Sequence, residues 1–132
     1  KGALINGISG NNKRYGDKEW LGFSGEDIIV TIEFDRPKNI KTISTRFYNG
    51  NGQWIYAPNE IGFSFYLEDG KTVNDISILE EKNNLLVNYS YELKSIPVKK
   101  LDIIIKNYGT IPEGKQGAGH KAWTFIDEII IE

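Results

Sequence analysis

Hydrophobic and polar residues alternate along several short segments of the chain, which is the pattern of β-strands with one buried face. The clearest example is the run from Asp27 to Phe34, in which every second residue from Ile28 onward is apolar. Strands are predicted, some from weaker patterns, at 27–34, 40–48, 60–68, 75–79, 86–93, 99–108 and 124–131. No stretch shows the 3.6-residue apolar period of a helix. The pattern therefore predicts an all-β fold, an antiparallel sandwich or barrel.

Turn-forming residues separate these segments. Residues 35–39, with sequence DRPKN, predict a turn between the first two strands, and residues 68–70, with sequence EDG, predict a hairpin turn. Residues 1–26 are rich in glycine and asparagine and predict an ordered loop, with Trp20 and Phe23 as its apolar anchors in the core.

Composition narrows the class of protein. The 132 residues fit one domain with a net charge of −2, so there is no basic excess of the kind that binds nucleic acid. There is no cysteine, which excludes disulfides and thiolate metal sites, and no apolar run approaches the ~20 residues of a membrane span. The chain begins at Lys1 and lacks methionine, so we expect a piece of a longer protein.

Two glycine-rich stretches imitate nucleotide-binding motifs but lack their context. Residues 109–116 approach a phosphate-binding loop, yet Gln116 stands in place of the magnesium-binding hydroxyl and no helix follows. Residues 117–122 match a dinucleotide fingerprint by letters, but a β pattern follows them. Neither stretch predicts nucleotide binding.

Catalytic residues are equally scarce. The chain has one histidine, no cysteine and no nucleophile-elbow spacing around its serines. Asp127 and Glu128 are neighbours in a predicted strand, so their side chains are expected on opposite faces and not as a converging glycosidase pair. We expect the domain itself not to be an enzyme.

Four segments, taken in order, resemble a known family: 4–7 (LING), 20–25 (WLGFSG), 54–58 (WIYAP) and 117–129 (GAGHKAWTFIDEI). Together they resemble the discoidin, or coagulation factor V/VIII type C, domain. They are most similar to bacterial family-32 carbohydrate-binding modules, such as those at the C-terminus of β-hexosaminidases (chitobiases) and related glycosidases. The resemblance implies that residues 1–132 form a single galactose-binding-domain-like module, a jelly-roll β-sandwich of about eight strands. It also implies that the domain was excised from the C-terminal part of such an enzyme.

The same resemblance implies a ligand and a metal. The ligand is expected at loops on one end of the sandwich, as a galactose, N-acetylgalactosamine or N-acetylglucosamine type of glycan. A structural calcium is implied near the N-terminal loop, with Asn6 at a position where the family usually has aspartate and Glu128 at the late acidic position.

A sugar presents an apolar face and a rim of hydroxyls, so its site needs an aromatic platform and a few polar groups. Trp54 is the predicted platform, with core packing an equal alternative. Packing is favoured for Tyr56 and for Trp123, while His120 and Lys121 are either hydroxyl-binding or simply solvated. The full candidate set is Asn49, Gln53, Trp54, Tyr56, His120, Lys121 and Trp123.

These expectations combine into one hypothesis and two alternatives. The leading hypothesis is a non-catalytic carbohydrate-binding module that holds a parent glycosidase near its glycan, outside the cell, on its surface or in the periplasm. The first alternative is a structural or protein-interaction domain that packs against its parent enzyme without binding sugar. Lipid-surface binding is the second, and the polar tip at 49–53 disfavours it.

Overall fold

The computed structural model describes residues 21–80 and 84–132. The motif at 4–7, Trp20 and the candidate metal residue Asn6 lie outside these ranges. Within them the chain forms seven strands: β1 Leu21–Ser24, β2 Ile28–Tyr48, β3 Glu60–Leu67, β4 Thr72–Ile78, β5 Leu86–Lys106, β6 Trp123–Ile126 and β7 Ile130–Ile131. The predicted all-β antiparallel class is confirmed. None of the described residues forms a helix that is long and apolar enough to span a membrane.

All seven strands belong to one hydrogen-bonded sheet that folds over into two layers. Its strand order is β1-β6-β2-β5-β3-β4, with β7 also paired to β2. The long strands β2 and β5 pair antiparallel along most of their length, from Ile28↔Ile105 to Tyr48↔Leu86. Where β2 residues 28–33 pair with β5 residues 100–105, β5 also pairs with β3, and β3 pairs with β4. Where β2 residues 42–48 pair with β5 residues 86–92, β2 also pairs with β6 and β7, and β6 pairs with β1. The two long strands therefore contribute to both layers of the sandwich.

The core lies between these layers. Phe63 on β3 stacks on Tyr91 in the other half of β5, with ring centroids 4.3 Å apart. The Tyr91 hydroxyl donates a hydrogen bond to Asp75 on β4, which ties the second layer to the edge of the first. Phe47, Phe65, Leu101 and Ile126 are among the fully buried side chains of the same cluster. Phe23 packs partly buried against it, as predicted.

The prediction of a turn at 35–39 is wrong, and so is the prediction of two separate strands at 86–93 and 99–108, because single strands run through both regions. β2 and β5 continue through both segments, and their pairing shifts register between Glu33 and Lys38 and between Ile40 and Thr42. Ser95 takes a positive φ of 55° in this region. Such irregularities bend and twist a strand without ending it, which lets β2 and β5 pass from one layer to the other.

The predicted C-terminal strand at 124–131 is divided in two. β6 pairs with the last two residues of β2, β7 pairs with Ile43 and Ser44 in the same half of that strand, and residues 127–129 lie between them as an irregular segment. The Thr45 hydroxyl lies 3.0 Å from the carbonyl of Glu128 and 3.4 Å from that of Asp127. The Asp127 amide donates to the Arg46 carbonyl at 3.0 Å. Asp127 and Glu128 are therefore fixed beside β2 and are not part of a regular strand.

Candidate functional site

The loop between β2 and β3 is organised by two asparagine side chains. The Asn49 Oδ1 accepts hydrogen bonds from the Ala57 amide and from the Asn51 Nδ2, each at 3.1 Å. The Asn51 Nδ2 also lies 3.0 Å from the carbonyl of Ile55. These bonds close the loop around a 3₁₀ turn, Asn51–Gln53, and leave the next residue, Trp54, at the tip.

Trp54 has a left-handed backbone, with φ 66° and ψ 25°. This conformation costs a non-glycine residue about 1–2 kcal/mol, so the surrounding contacts must impose it. The Trp54 amide donates to Asn51 and its carbonyl accepts from the Trp123 amide at 2.8 Å. The indole, 38% exposed, stacks on the His120 ring with centroids 4.0 Å apart and planes inclined by 16°.

The loop that carries His120 is shaped by a glycine lying against the indole. Gly117 has a φ of +87°, and a Cβ at this position would lie 2.5 Å from Trp54 Cδ1 and 2.9 Å from Ile111 Cδ1. Real Cβ atoms do not approach so closely. The two loops can therefore pack together only because residue 117 has no side chain.

The buried base of the same loop orients His120. The Ile111 amide donates to the His120 carbonyl at 2.8 Å, and the Gly119 amide donates to the Ile111 carbonyl at 2.8 Å. Ile111 and Ala122 are buried at 1% and 0% exposure, whereas His120 and Lys121 are exposed. The apolar anchors fix the backbone, and the polar side chains between them face solvent.

The buried side chain of Tyr56 connects the Trp54 loop with the loop that carries His120. Its ring stacks on Tyr108 with centroids 4.7 Å apart, and its hydroxyl donates to the Gln116 carbonyl at 2.7 Å. Tyr56 is 3% exposed and Asn49 is 9% exposed. Both side chains are buried and their polar groups are used to build the loops, although both line a small pocket together with Pro58 and Tyr108; their role as sugar contacts stays a prediction.

The interpretation of Trp123 as a core residue is also corrected. It is 38% exposed and its ring lies 5.9 Å from that of Phe125, tilted by 52°. Strand alternation explains this, because the buried residues of β6 are Thr124 and Ile126, which leaves Trp123 on the outer face.

The structure therefore brings together most of the exposed candidates at one end of the sandwich. Trp54 and His120 are in contact, the Trp123 backbone is bonded to Trp54, and Lys121 lies in the same loop. Gln53 is exposed one residue before Trp54. We call the exposed set Gln53, Trp54, His120, Lys121 and Trp123 the rim site.

One further polar residue of the rim was missed from the sequence. Gln116 is exposed, and its Oε1 lies 3.3 Å from where a Cβ on Gly52 would be. It therefore lies beside the tip of the Trp54 loop. The sequence drew attention to Gln116 only because it does not match a phosphate-binding loop. No neighbouring residue in the sequence indicated that Gln116 lies close to Gly52.

The calcium implied by the family resemblance has one predicted ligand in the described residues. Glu128 is 5% exposed beside Asp127, whose carboxylate is paired with Arg46 at 2.5 Å. Residues 21–80 and 84–132 contain no group of three or more His, Cys, Asp or Glu side chains placed to hold a metal. The other predicted ligand, Asn6, lies outside these ranges, so calcium stays a prediction.

Comparisons with known proteins identify the fold. No protein-family model matches the chain, and no match to a curated protein is found. Among solved structures, a Streptococcus pneumoniae fucose binding module, SpX-3, is similar with a TM-score of 0.52 and 15% identity, covering 98% of this chain and 82% of that one. The lectin domain of lectinolysin, solved in complex with Lewis B antigen, is similar with a TM-score of 0.56 and 10% identity, covering 98% and 81%. The chain thus has the β-sandwich fold of bacterial carbohydrate-binding modules.

Proposed function

We propose that this domain is a non-catalytic carbohydrate-binding module and that the rim site holds the sugar. The observation that carries the proposal is the stacking of exposed Trp54 on His120, imposed against a backbone preference of about 1–2 kcal/mol. An aromatic ring kept exposed at such a cost, on the rim of a sugar-binding fold, suggests a ligand platform.

The chemistry of the rim suits a neutral sugar. The part of the Trp54 side chain that His120 and Gly117 leave uncovered offers an apolar surface to the C–H face of a pyranose. Gln53 and Gln116 supply amide donors and acceptors, and Lys121 supplies an ammonium donor for hydroxyl or acetamido groups. Gln53 directly precedes Trp54 and Gln116 lies beside Gly52 of the same loop, so polar groups adjoin the aromatic surface, as in sites where a few polar groups orient a ligand.

Two sources suggest which sugars to test first. The family resemblance suggests galactose, N-acetylgalactosamine and N-acetylglucosamine ends. The solved neighbours add fucose and Lewis B, named for those proteins. We propose a ligand from this group, presented at the end of a glycan chain, because the rim is an exposed surface at the end of the sandwich.

The biological role we propose is to keep a glycoside hydrolase, of the β-hexosaminidase or chitobiase type, near its glycan. A weak site is sufficient for this, because a short linker raises the effective concentration to about the mM range. Such enzymes act on extracellular or surface glycans, so the domain would work outside the cell, at its surface or in the periplasm.

The decisive test is glycan-array screening followed by calorimetric titration with the best sugar and with the Trp54→Asn variant. Asparagine tolerates the left-handed backbone, so this variant removes the indole without adding strain. We expect the loss of one stacked aromatic to weaken binding at least tenfold, equivalent to about 1.4 kcal/mol. Trp54→Tyr, which restores a flat ring, should recover part of the affinity.

The matched control is Trp123→Asn, because this tryptophan has the same exposure but a ring that packs on Phe125 and not on His120. A platform at Trp54 predicts a larger loss for Trp54→Asn than for Trp123→Asn. If no hexose, 6-deoxyhexose or hexosamine binds, or if Trp54→Asn binds as tightly as the wild type, the proposal is wrong.

A specific observation favours protein interaction as a second candidate. On the outer face of the other layer, Ile29, Ile104 and Ile76 fall in one cross-strand row that also contains Gly62. Ile29 is 68% exposed and Ile76 is 61% exposed, beside Ile78 at 70%. Exposed apolar patches of this kind mark interfaces. Ile76→Lys should abolish co-purification with a parent enzyme if this face docks, while leaving sugar binding unchanged.

A further inference from the structure

Strand β4 forms an open edge of the sheet. It stands last in the order β1-β6-β2-β5-β3-β4, and within the described ranges its only strand partner is β3. The Leu79 amide donates to the Asn59 carbonyl, and the Leu67 amide donates to the Lys71 carbonyl. Hydrogen-bonded pairs alternate along an antiparallel ladder, so the odd-numbered residues of β4 bond to β3. The backbone groups of the even-numbered residues point away from the sheet, and these residues are Thr72, Asn74, Ile76 and Ile78.

This edge has few of the features that keep sheets from pairing with one another. Proteins protect an edge strand with lysine, proline or a bulge. β4 contains neither lysine nor proline, and its register with β3 is unbroken. Val73, Ile76 and Ile78 are large, apolar and exposed on it. One amide is protected, because the Ile76 amide donates to the Asp75 carboxylate at 2.9 Å. A regular apolar edge of this kind is a template for a further strand.

A second copy of the same strand fits this edge in a definite register. Two antiparallel β4 strands related by a two-fold axis keep their outer faces on one side only if even-numbered residues oppose even-numbered residues. An axis centred on Asp75 would place two carboxylates directly opposite each other, which is destabilising. An axis centred on Ile76 pairs Ile76 with its own copy and places Asp75 opposite the neutral Ser77 of the second copy.

The register centred on Ile76 also matches the apolar side chains of the edge. It places Val73 opposite Leu79 of the second copy, and Asn74 opposite Ile78 of the second copy. Ile76 and Ile78 of both copies then meet on the outer face as directly opposite and diagonal neighbours, which are the positions where cross-strand pairs interact. The pairing would cover the exposed apolar side chains of β4 and satisfy its outward backbone groups.

Charges at the ends of the paired segment favour the same register. Lys71 precedes β4 and Glu80 follows it, and both are exposed. In the register centred on Ile76, the lysine of each copy comes within one residue of the glutamate of the other copy. Opposite charges therefore meet at both ends of the interface, and the two-fold axis makes the contacts identical.

We propose that two copies of this chain associate through β4 into one continuous sheet, with a two-fold axis at Ile76. A single strand pair is a small interface, so we expect a reversible dimer with a Kd between about 1 µM and 1 mM. The association does not depend on the rim site. If the proposed function holds, the dimer carries two rim sites and can bind a surface with many glycans more tightly than one domain does.

Sedimentation equilibrium of the 132-residue chain over a range of concentrations measures the association. Ile76→Lys places two ammonium groups opposite each other on the axis and should weaken the dimer at least tenfold. The matched control is Ile29→Lys, because Ile29 is similarly exposed in the same outer row but lies on β2, three strands away from the edge. This control should change the Kd less than twofold.

Disulfide formation tests the register, since the chain has no cysteine of its own. In Ile76→Cys the two cysteines would form a hydrogen-bonded pair with Cα atoms about 5.5 Å apart, within the range that a disulfide spans. We expect oxidised glutathione to link Ile76→Cys into a covalent dimer and to leave Ile29→Cys largely monomeric.

Three results would overturn the proposal. The first is a wild-type chain that stays monomeric up to about 1 mM, the upper limit of the expected Kd. The second is equal weakening by both lysine variants, which would place the contact on the outer face and not at the edge. The third is equal cross-linking of the two cysteine variants. A monomeric chain whose docking to a parent enzyme requires Ile76 would assign this edge to that enzyme and not to a second copy.

Discussion

Replacing Gly117 by alanine tests whether the two loops of the rim site are packed as described. The added Cβ would lie 2.5 Å from Trp54 Cδ1, 2.8 Å from Cγ and 2.9 Å from Ile111 Cδ1. Trp54 would have to move, and its stack on His120 would be broken or displaced. The change therefore affects both the stability of the domain and the platform.

The loss in free energy of unfolding expected for Gly117→Ala has two parts, which can be measured separately. Alanine at a φ of +87° costs about 1–2 kcal/mol, because Cβ meets the backbone in the left-handed region. Forcing an extra methyl group against a packed ring costs about 1–3 kcal/mol more. Gly119 provides the control, since its φ is +89° but a Cβ there meets nothing within 4 Å. Gly119→Ala should therefore show only the first part.

Urea unfolding monitored by circular dichroism gives the two free energies, and tryptophan fluorescence reports the environment of the indoles. We expect Gly117→Ala to be about 1–3 kcal/mol less stable than Gly119→Ala. Only Gly117→Ala should change the native fluorescence spectrum and weaken sugar binding. Equal stabilities and unchanged spectra for the two variants would refute the packing of Gly117 against Trp54.

Three further changes test other parts of the structure. Arg46→Met leaves the buried Asp127 carboxylate without its cation and should lower the free energy of unfolding in urea by about 3–5 kcal/mol. The double variant Arg46→Met with Asp127→Leu should recover most of this loss. Equal losses of stability in the single and the double variant would contradict the argument. Burial and a hydrogen-bonded carboxylate raise the pKa of Tyr91, so the folded chain holds the phenolic proton more tightly than the unfolded chain does. Its contribution to stability is complete below about pH 10 and is lost as the pH rises further, so Tyr91→Phe should lose less stability between about pH 10 and 12 than the wild type. Asn49→Ala removes the acceptor of the Ala57 amide and should cost about 1–3 kcal/mol, with a change in tryptophan fluorescence because the Trp54 loop loosens.

Sequence patterns predicted the strands well where burial on one face determines them. Ile28, Val30 and Ile32 are buried and alternate with exposed residues, and Phe63 and Phe65 are buried and alternate with half-buried residues on β3. In each case the signal is local, because a strand with one buried face must repeat every two residues. The all-β class follows directly from such segments.

The continuity of β2 and β5 could not be predicted in this way. The sequence DRPKN at 35–39 has the composition of a turn, yet the chain remains extended there. What decides the outcome is pairing with β5, whose partner residues lie far away in the sequence. A register shift between Glu33 and Lys38 accommodates the proline region without ending the strand. At this position, pairing with a strand that is distant in the sequence outweighs the local propensity to form a turn.

The rim site depends on contacts of the same long-range kind. The sequence identified Trp54 as a candidate from its residue type and its position in a loop. It did not decide whether the side chain is an exposed platform or part of the core. The deciding residue is Gly117, whose missing side chain lets the second loop lie against the indole and stack His120 on it. A tryptophan needed only to close the core would not require an unfavourable backbone and an exposed ring at one position. The strained backbone of Trp54, the glycine that makes room for its indole and the exposed stack on His120 are therefore the features on which the proposed ligand platform rests.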